Sequence, residues 1–147
     1  MKWTIDLLNL PIVDVTIGTE AKEFSCPGSV LRTVPGTLKP FTTDLDDSVA
    51  VFFSRSQAYR EMTDKERTDA NSSKRTVDVL LRYAPTRLLL SGWIQKPELI
   101  ADRAAWLRTT HGEGTVHLFG FRPQYRGWSQ GAFQLLFRAM LFEAKKP

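Results

Sequence analysis

The sequence predicts an α/β domain with a mixed sheet of about five strands and two or three helices, ending in a C-terminal amphipathic helix. Short apolar runs rich in β-branched and aromatic residues recur along the chain, as in strands that are covered on both faces. The stretch from Gly112 to Ala144 reads continuously as a turn, a buried strand, a polar loop and a helix. Segments with strand-like and helix-like spacing together indicate a layered α/β architecture.

Composition is that of one folded domain. The chain has 147 residues, of which 42% are hydrophobic and 24% charged, so residues 1–147 can bury a core without disulfides or metals. The single cysteine, Cys26, excludes an internal disulfide.

Charge and hydropathy exclude several classes of protein. The net charge is +4, but the basic residues are scattered from Lys2 to Lys146 with acidic residues between them, which argues against nucleic-acid binding. No run approaches the roughly 18 apolar residues of a membrane span. Residues 1–11 lack the layout of a signal peptide. We therefore expect no membrane partner and a cytoplasmic location for the chain as written.

The first half of the chain predicts one helix, two strands and a loop. A short helix over residues 3–10 is terminated by Pro11, which cannot continue it. Val30, Leu31 and Val34 indicate a strand that ends at Pro35-Gly36, and Val49–Phe53 is a compact apolar run typical of a strand. Residues 59–75 are dense in charged and small polar side chains and predict an exposed polar loop.

The second half predicts the remaining strands. Val77–Tyr83 and Leu88–Ile94 are β-rich runs separated by a short proline-containing connection. A short helix is expected near Pro97–Ile100 and a strand around Ala104–Thr109, which turns at Gly112–Gly114.

The chain then closes with a strand, a loop and a helix. Residues 116–121 form an apolar run bounded by glycines, and Arg122–Gly127 breaks the pattern. Ser129 is a plausible N-cap for the terminal helix. Its apolar face is predicted to consist of Phe133, Leu136, Phe137, Met140 and Leu141.

The loop after residue 121 is the best candidate for a binding site. Arg122, Tyr125, Arg126 and Trp128 interleave guanidinium groups with aromatic rings, and could bind a carboxylate, a phosphate or a partner chain. In the alternative interpretation, Arg126 locks the loop by binding backbone carbonyls. Both roles are common in loops at strand ends.

A weaker alternative is a catalytic triad of Cys26, His111 and Glu113, as in a glutamine amidotransferase. A nucleophilic cysteine in such enzymes lies on a tight strand-to-helix turn. Cys26 instead precedes a proline and enters a predicted strand. Convergence of the three groups is the geometric test of this hypothesis.

No pattern of metal ligands is found. His111 and His117 do not have the spacing of a helical zinc motif. Asp44, Asp46 and Asp47 lack the later glutamate of a calcium-binding loop. We therefore expect no metal and no cofactor on this chain.

Three segments carry a resemblance to a known family. They are FSCPGSVLR at Phe24–Arg32, LLLSGWI at Leu88–Ile94, and GTVHLFGFRPQYRG followed by GAFQLLFRAML between Gly114 and Leu141. These segments resemble the C-terminal extension of bacterial zinc carboxypeptidase-like proteins of the carboxypeptidase A type. In those proteins a peptidase domain is followed by a class I glutamine-amidotransferase-like α/β domain. Their order and spacing agree across roughly Ile5–Ala144.

The resemblance implies a partial amidotransferase-like, flavodoxin-like layer without catalytic residues. The family's zinc ligands, a His-x-x-Glu motif and a distant histidine, belong to the preceding peptidase domain, and nothing in this sequence matches them. The chain resembles the later part of the amidotransferase-like domain or a shortened stand-alone relative; a longer family member would be exported. Arg138 and the stretch Trp128-Ser129-Gln130 depart from the family's pattern, which puts an inherited ligand contact there in doubt.

The sequence thus predicts a non-catalytic accessory or interaction domain that associates with a peptidase domain or with a second copy of itself. The alternatives are a degenerate amidohydrolase or peptidase that uses Cys26, His111 and Glu113, and a small module that binds an anion or nucleic acid through the Arg122–Trp128 loop.

Overall fold

The computed structural model describes residues 2–72, 75–127 and 130–143. In chain order its helices and strands are α1 (Lys2–Leu7), β1 (Ile12–Asp14), β2 (Ser29–Pro35), β3 (Val49–Phe53), β4 (Tyr59–Glu61), α2 (Asp64–Asp69), β5 (Val77–Tyr83), β6 (Leu89–Ser91), β7 (Ala104–His111), β8 (Gly114–Phe119) and α3 (Gln130–Glu143). Single 3-10 turns lie at Pro97–Leu99 and Tyr125–Gly127. Within this described part, no helix is long and apolar enough to cross a membrane.

The strands of the described residues form one antiparallel sheet of eight strands. Its continuous path runs β1, β4, β7, β5, β2, β3, while β6 pairs with β2 and β8 pairs with β7. The predicted α/β class, a mixed sheet of about five strands in a flavodoxin-like layer, is therefore wrong. Parallel neighbours require a crossover of about a dozen or more residues, usually a helix. Here α1 and α2 have only six residues each, and two residues join β7 to β8.

The predicted strands of the second half are largely confirmed. Strand β5 has the predicted bounds, Val77–Tyr83. Strands β7 and β8 form a hairpin in which His111 pairs with Gly114, and Gly112 takes the left-handed φ of 56° that such a tight turn requires. The expected strand over Leu88–Ile94 shortens to the three exposed residues of β6.

The first half differs from the expectation at residues 59–75. The helix near the N-terminus and strands β2 and β3 are confirmed. The expected exposed loop, however, contains β4 and α2, and Tyr59 is fully buried. Thr63 and Glu66 form a reciprocal capping box that starts α2. Strand β4 pairs with β1, which the sequence did not predict.

Two hydrophobic clusters hold the fold together. The larger one contains buried side chains from β2, β3, β5, β7 and α3, and the smaller one contains side chains from α1, β1, β4, β7 and β8. Trp106 and Leu107 are consecutive on β7 and belong to different clusters. Successive strand residues point to opposite faces of a sheet, so β7 joins the two clusters.

Helix α3 confirms the predicted C-terminal helix but not its buried face. The buried residues are Ala132, Leu135 and Ala139, whereas the predicted core residues Phe137, Met140 and Leu141 are 56%, 62% and 61% exposed. The proposed N-cap, Ser129, lies outside the described residues.

Candidate anion-binding cleft

The candidate cleft begins where β8 ends. Phe119, the last residue of β8, stacks on Trp106 with ring centroids 5.0 Å apart, and Phe121 is buried. Between them, the Gly120 N–H donates to β7 over 2.7 Å and the Gly120 carbonyl accepts from the Gln57 N–H over 2.6 Å. A side chain at position 120 would overlap the Gln57 carbonyl. The chain therefore leaves the sheet in a fixed direction.

Tyr125 is the centre of the loop that follows. Its ring stacks on Phe52 of β3, with centroids 4.7 Å apart and planes inclined by 17°. The guanidinium carbons of Arg122 and Arg126 lie 5.8 and 5.4 Å from the centroid of the same tyrosine ring. Both distances are within cation–π range. The ring thus brings two positive charges together beside the sheet.

The opposite wall of the cleft is the turn between β3 and β4. Arg55, Ser56 and Gln57 of this turn face Arg122, across a cleft of about 370 Å³. The apolar lining residues are Phe119, Phe121, Pro123 and Leu136. The cleft therefore combines an apolar surface with guanidinium groups from two separate loops.

Two of these arginines have a left-handed backbone. The φ angle is 48° at both Arg55 and Arg126. A residue with a Cβ atom in this conformation costs roughly 1–2 kcal/mol relative to the right-handed one. The fold sustains this cost at Arg55, which lines the cleft, and at Arg126, which shares the Tyr125 ring with the lining residue Arg122.

The positive charge of the cleft is not neutralised by the rest of the described chain. No acidic side chain is among the described residues that line it. Arg55, Arg122 and Arg126 are exposed and form no ion pair with a carboxylate of the described residues. Guanidinium groups bind carboxylates and phosphates through paired hydrogen bonds, so the arrangement suits an anionic group with an apolar or planar neighbour.

The structure brings together most of the residues that the sequence pointed to. Arg122, Tyr125 and Arg126 are adjacent, whereas Trp128 lies outside the described residues. Arg55 and Phe52 were not predicted. Phe52 reads as a core residue of a strand, and only its position opposite the loop makes it the support for Tyr125.

The alternative role, in which Arg126 locks the loop, has no hydrogen bond to support it in the described part of the chain. The side chain of Arg126 donates to no described carbonyl, and its contact is with the Tyr125 ring. The stacking of Tyr125 on Phe52 holds the loop instead.

The residues of the weaker alternative, the triad, lie at opposite ends of the sheet. Cys26 lies just before β2, and β2 pairs with β5 near Tyr83, at one end of β5. His111 and Glu113 follow the part of β7 that pairs with Val77, at the other end of β5. The seven residues of β5 span about 20 Å between them, at about 3.3 Å per residue. Burial raises the pKa of the Cys26 thiol despite its bond with Ser29, which opposes formation of a nucleophilic thiolate.

A partly buried ion-pair network, which was not predicted from the sequence, lies at the end of α3. Arg108 of β7 binds Asp78 of β5, with Nη1 and Oδ2 3.0 Å apart, and its Nε donates to Glu143 of α3. His117 Nε2 lies 3.2 Å from the same glutamate oxygen, and Trp106 Nε1 donates to His117 Nδ1 over 3.1 Å. The network connects α3 with residues of three strands, β5, β7 and β8.

The protonation states of this network follow from its contacts. Burial lowers the pKa of His117, and the indole N–H of Trp106 occupies the lone pair of Nδ1. The imidazole is therefore neutral and donates from Nε2. Burial opposes ionisation of Glu143, but the bonds from Arg108 and His117 outweigh it and hold the pKa of this carboxyl at about 2.

No metal site is found in the ranges 2–72, 75–127 and 130–143, because no three His, Cys, Asp or Glu side chains there are grouped to hold an ion.

Comparison of the chain with protein-family models, curated proteins and solved structures found no match.

Proposed function

We propose that this chain is a non-catalytic interaction domain whose cleft binds an anionic group, a carboxylate or a phosphate, of a partner molecule. The observation that carries the proposal is the placement of Arg55 and Arg122 on facing walls of a cleft without an acidic side chain among its described lining residues, with Arg126 beside Arg122 on the Tyr125 ring. Unpaired guanidinium groups at a preformed concave surface favour recognition of such anions.

The arrangement supports binding more than catalysis. Tyr125 is held by Phe52, and its two arginines offer only positive charge and hydrogen-bond donors. The cleft lining contributes no carboxylate, histidine or cysteine from the described residues that could act as a base or nucleophile. The accessory role expected from the sequence needs only such a recognition surface.

An NMR titration of the isotope-labelled protein at low salt tests the proposal. Sodium phosphate and sodium acetate are the probes, because they separate recognition of phosphate from recognition of a carboxylate. We expect saturable shifts at the side-chain N–H signals of Arg55, Arg122 and Arg126. Higher salt should weaken the binding, since the contacts are between charges.

Arg122→Ala should weaken the binding several-fold. The matched control is Arg87→Ala, which removes the same charge from an exposed site on the turn between β5 and β6. Equal effects of the two variants, or no saturable shifts with either anion, would refute the proposal. A labelled single-stranded oligonucleotide that binds far more tightly than phosphate, and loses affinity in Arg122→Ala, would identify a nucleic acid as the anion.

A further inference from the structure

Helix α3 exposes its large apolar side chains. The side chains packed on the sheet are mostly small, Ala132 and Ala139, whereas Phe137 and Leu141 are more than half exposed on the other side. Residues four apart lie one above the other on a helix, so Phe137 and Leu141 form a continuous apolar strip. A helix that is apolar on both sides is normally covered on both sides.

Contacts along the helix fix this orientation. Glu143 at the end of α3 is bound by Arg108 and His117 of the sheet. In the middle of the helix, the Arg138 guanidinium donates to the Thr43 carbonyl over 2.6 Å. A rotation that buried Phe137 would break both sets of bonds, so the exposed strip is a stable feature of the fold.

The strip forms one wall of a groove. The other wall is the segment before β3, with Pro40, Thr43 and Asp44 facing Phe137 and Leu141 across about 420 Å³. A second hollow of about 460 Å³ shares Asp44 with the groove and also contains Asp46. The two hollows adjoin at Asp44 and Gln134, so the channel that they form has an apolar part, along α3, and an acidic side.

The charged side chains among the described residues that line the two hollows are Asp44, Asp46 and Arg138, which leaves one net negative charge although the chain carries +4. Asp44 and Asp46 are exposed and form no ion pair within the described residues. Arg138 also lines the groove, but its guanidinium is turned towards the loop carbonyls. The occupant that complements this surface is apolar on one side and positively charged on the other.

We propose that the α3 groove binds a cationic amphipathic helix of a partner protein. Its apolar residues would pack between Phe137 and Leu141, and its basic residues would pair with Asp44 and Asp46, in the manner of a helix lying in a hydrophobic groove. A second copy of this chain fits less well, because a symmetric contact would bring the aspartates of both copies into one interface without adding basic residues to pair with them. An anionic membrane would be repelled by them.

Fluorescence anisotropy with two synthetic peptides tests this proposal on the full chain. One labelled helical peptide of about five turns has leucines on one face and lysines on the other; the second has glutamates in place of the lysines. The lysine peptide should bind saturably, and the glutamate peptide at least tenfold more weakly. Phe137→Gln/Leu141→Gln should reduce affinity at least tenfold, because the apolar contacts are lost.

Asp44→Asn/Asp46→Asn should lower the affinity for the lysine peptide about three- to tenfold. Asp6→Asn/Asp69→Asn makes the same charge change at exposed positions on α1 and α2 and should leave binding unchanged. Circular dichroism checks that each variant is folded. Equal binding of both peptides, equal effects of the two aspartate pairs, or no binding at all would overturn the proposal. A dimer that Phe137→Gln/Leu141→Gln converts to monomer would assign the groove to a second copy.

Discussion

At the scale of single residues, His117 is constrained at both of its ring nitrogens. It accepts a hydrogen bond from Trp106 and donates one to Glu143, so each ring nitrogen has a different obligatory role. Protonation of His117 would place a hydrogen on Nδ1, where it would clash with the N–H that Trp106 donates to this nitrogen. The fold therefore holds the imidazole in one neutral tautomer, and this choice has a thermodynamic consequence.

Stability should fall as the pH drops below 6.5. The pKa of His117 is lowered in the fold from its ordinary value of 6.5, so the unfolded chain binds a proton that the folded chain does not. Below 6.5 this difference favours unfolding, and the loss continues until the folded pKa is passed. Urea unfolding at pH 7.5, 6.5 and 5.5 measures the slope.

The slope should disappear in His117→Gln, whose intrinsic stability is lower because Trp106 and Glu143 lose their shared partner. Glu66 and Glu143 cannot account for the slope, because their pKa values of about 2 confine their contribution to pH values below about 4.5. An unchanged slope in the variant would show that His117 is not its source.

Substitutions of Arg126 can distinguish an effect on anion binding from an effect on the stability of the fold. Its left-handed backbone favours glycine. The strain relieved by Arg126→Gly, about 1 kcal/mol, is offset by the greater flexibility of glycine in the unfolded chain. We therefore expect the free energy of unfolding to stay within about 0.5 kcal/mol while phosphate binding weakens.

The matched variant Arg126→Val removes the same guanidinium but places a β-branched residue in the left-handed region. It should lose binding to the same extent and also lose about 1–2 kcal/mol of stability. Urea unfolding and the phosphate titration check the two effects separately. Strong destabilisation by glycine would contradict the expected backbone relief.

At the scale of elements, local sequence patterns predicted the position of strands, but they did not predict the start of α2 or the buried face of α3. Val77–Tyr83 was predicted with its bounds because alternating β-branched and aromatic residues mark a strand directly. Helix α2 was missed because its side chains are almost all polar, and its start depends on the capping box of Thr63 and Glu66. The predicted apolar face of α3 is wrong because apolar residues lie on both sides of this helix, and the side packed on the sheet is the one with Ala132, Leu135 and Ala139.

The orientation of α3 can be tested with two substitutions on the same helix. Ala139 faces the core and is 7% exposed. Ala139→Phe should destabilise the protein by about 1–3 kcal/mol through overpacking. Phe137→Ala should change stability by about 0.5 kcal/mol or less, because Phe137 lies on the outer side. Chemical denaturation gives both values, and the reverse order would place the sheet on the Phe137 side.

The capping box of α2 makes a separate prediction. Thr63 Oγ1 accepts from the Glu66 N–H over 3.3 Å, and Glu66 accepts from the Thr63 N–H over 2.8 Å. Thr63→Ala should weaken the helix by about 1 kcal/mol. Faster hydrogen exchange at the Glu66 amide reports the loss. Thr63→Ser keeps the hydroxyl and should preserve protection, so fast exchange in that variant would show that the cap is not responsible.

At the scale of the whole molecule, the sequence predicted where several strands lie but not how they pair. An apolar run bounded by glycines suits a parallel strand between helices and also a central antiparallel strand. The distinction lies in the connections, since two residues between His111 and Gly114 permit only a hairpin. The cleft likewise depends on pairing, because β3 and its turn bring Phe52 and Arg55 to a loop about 70 residues later.

Strand β7 contributes side chains to both hydrophobic clusters, so we expect the two to unfold as one cooperative unit. Trp106 belongs to the larger cluster and Leu107 to the smaller, and β7 pairs with β4, β5 and β8. Unfolding either cluster would strip one face of the same strand. We therefore expect methyl NMR signals from Leu31 in the larger cluster and from Ile12 in the smaller one to disappear at the same urea concentration.

Leu118→Ala distinguishes coupled unfolding of the two clusters from two independent transitions that happen to have the same midpoint. Leu118 is 2% exposed and lies only in the smaller cluster, so the substitution should cost about 2–5 kcal/mol there. If β7 couples the clusters, the midpoints reported by Leu31 and Ile12 shift down together. A shift confined to Ile12 would show that the smaller cluster unfolds by itself, and that the sheet persists around Trp106 without α1 and β1.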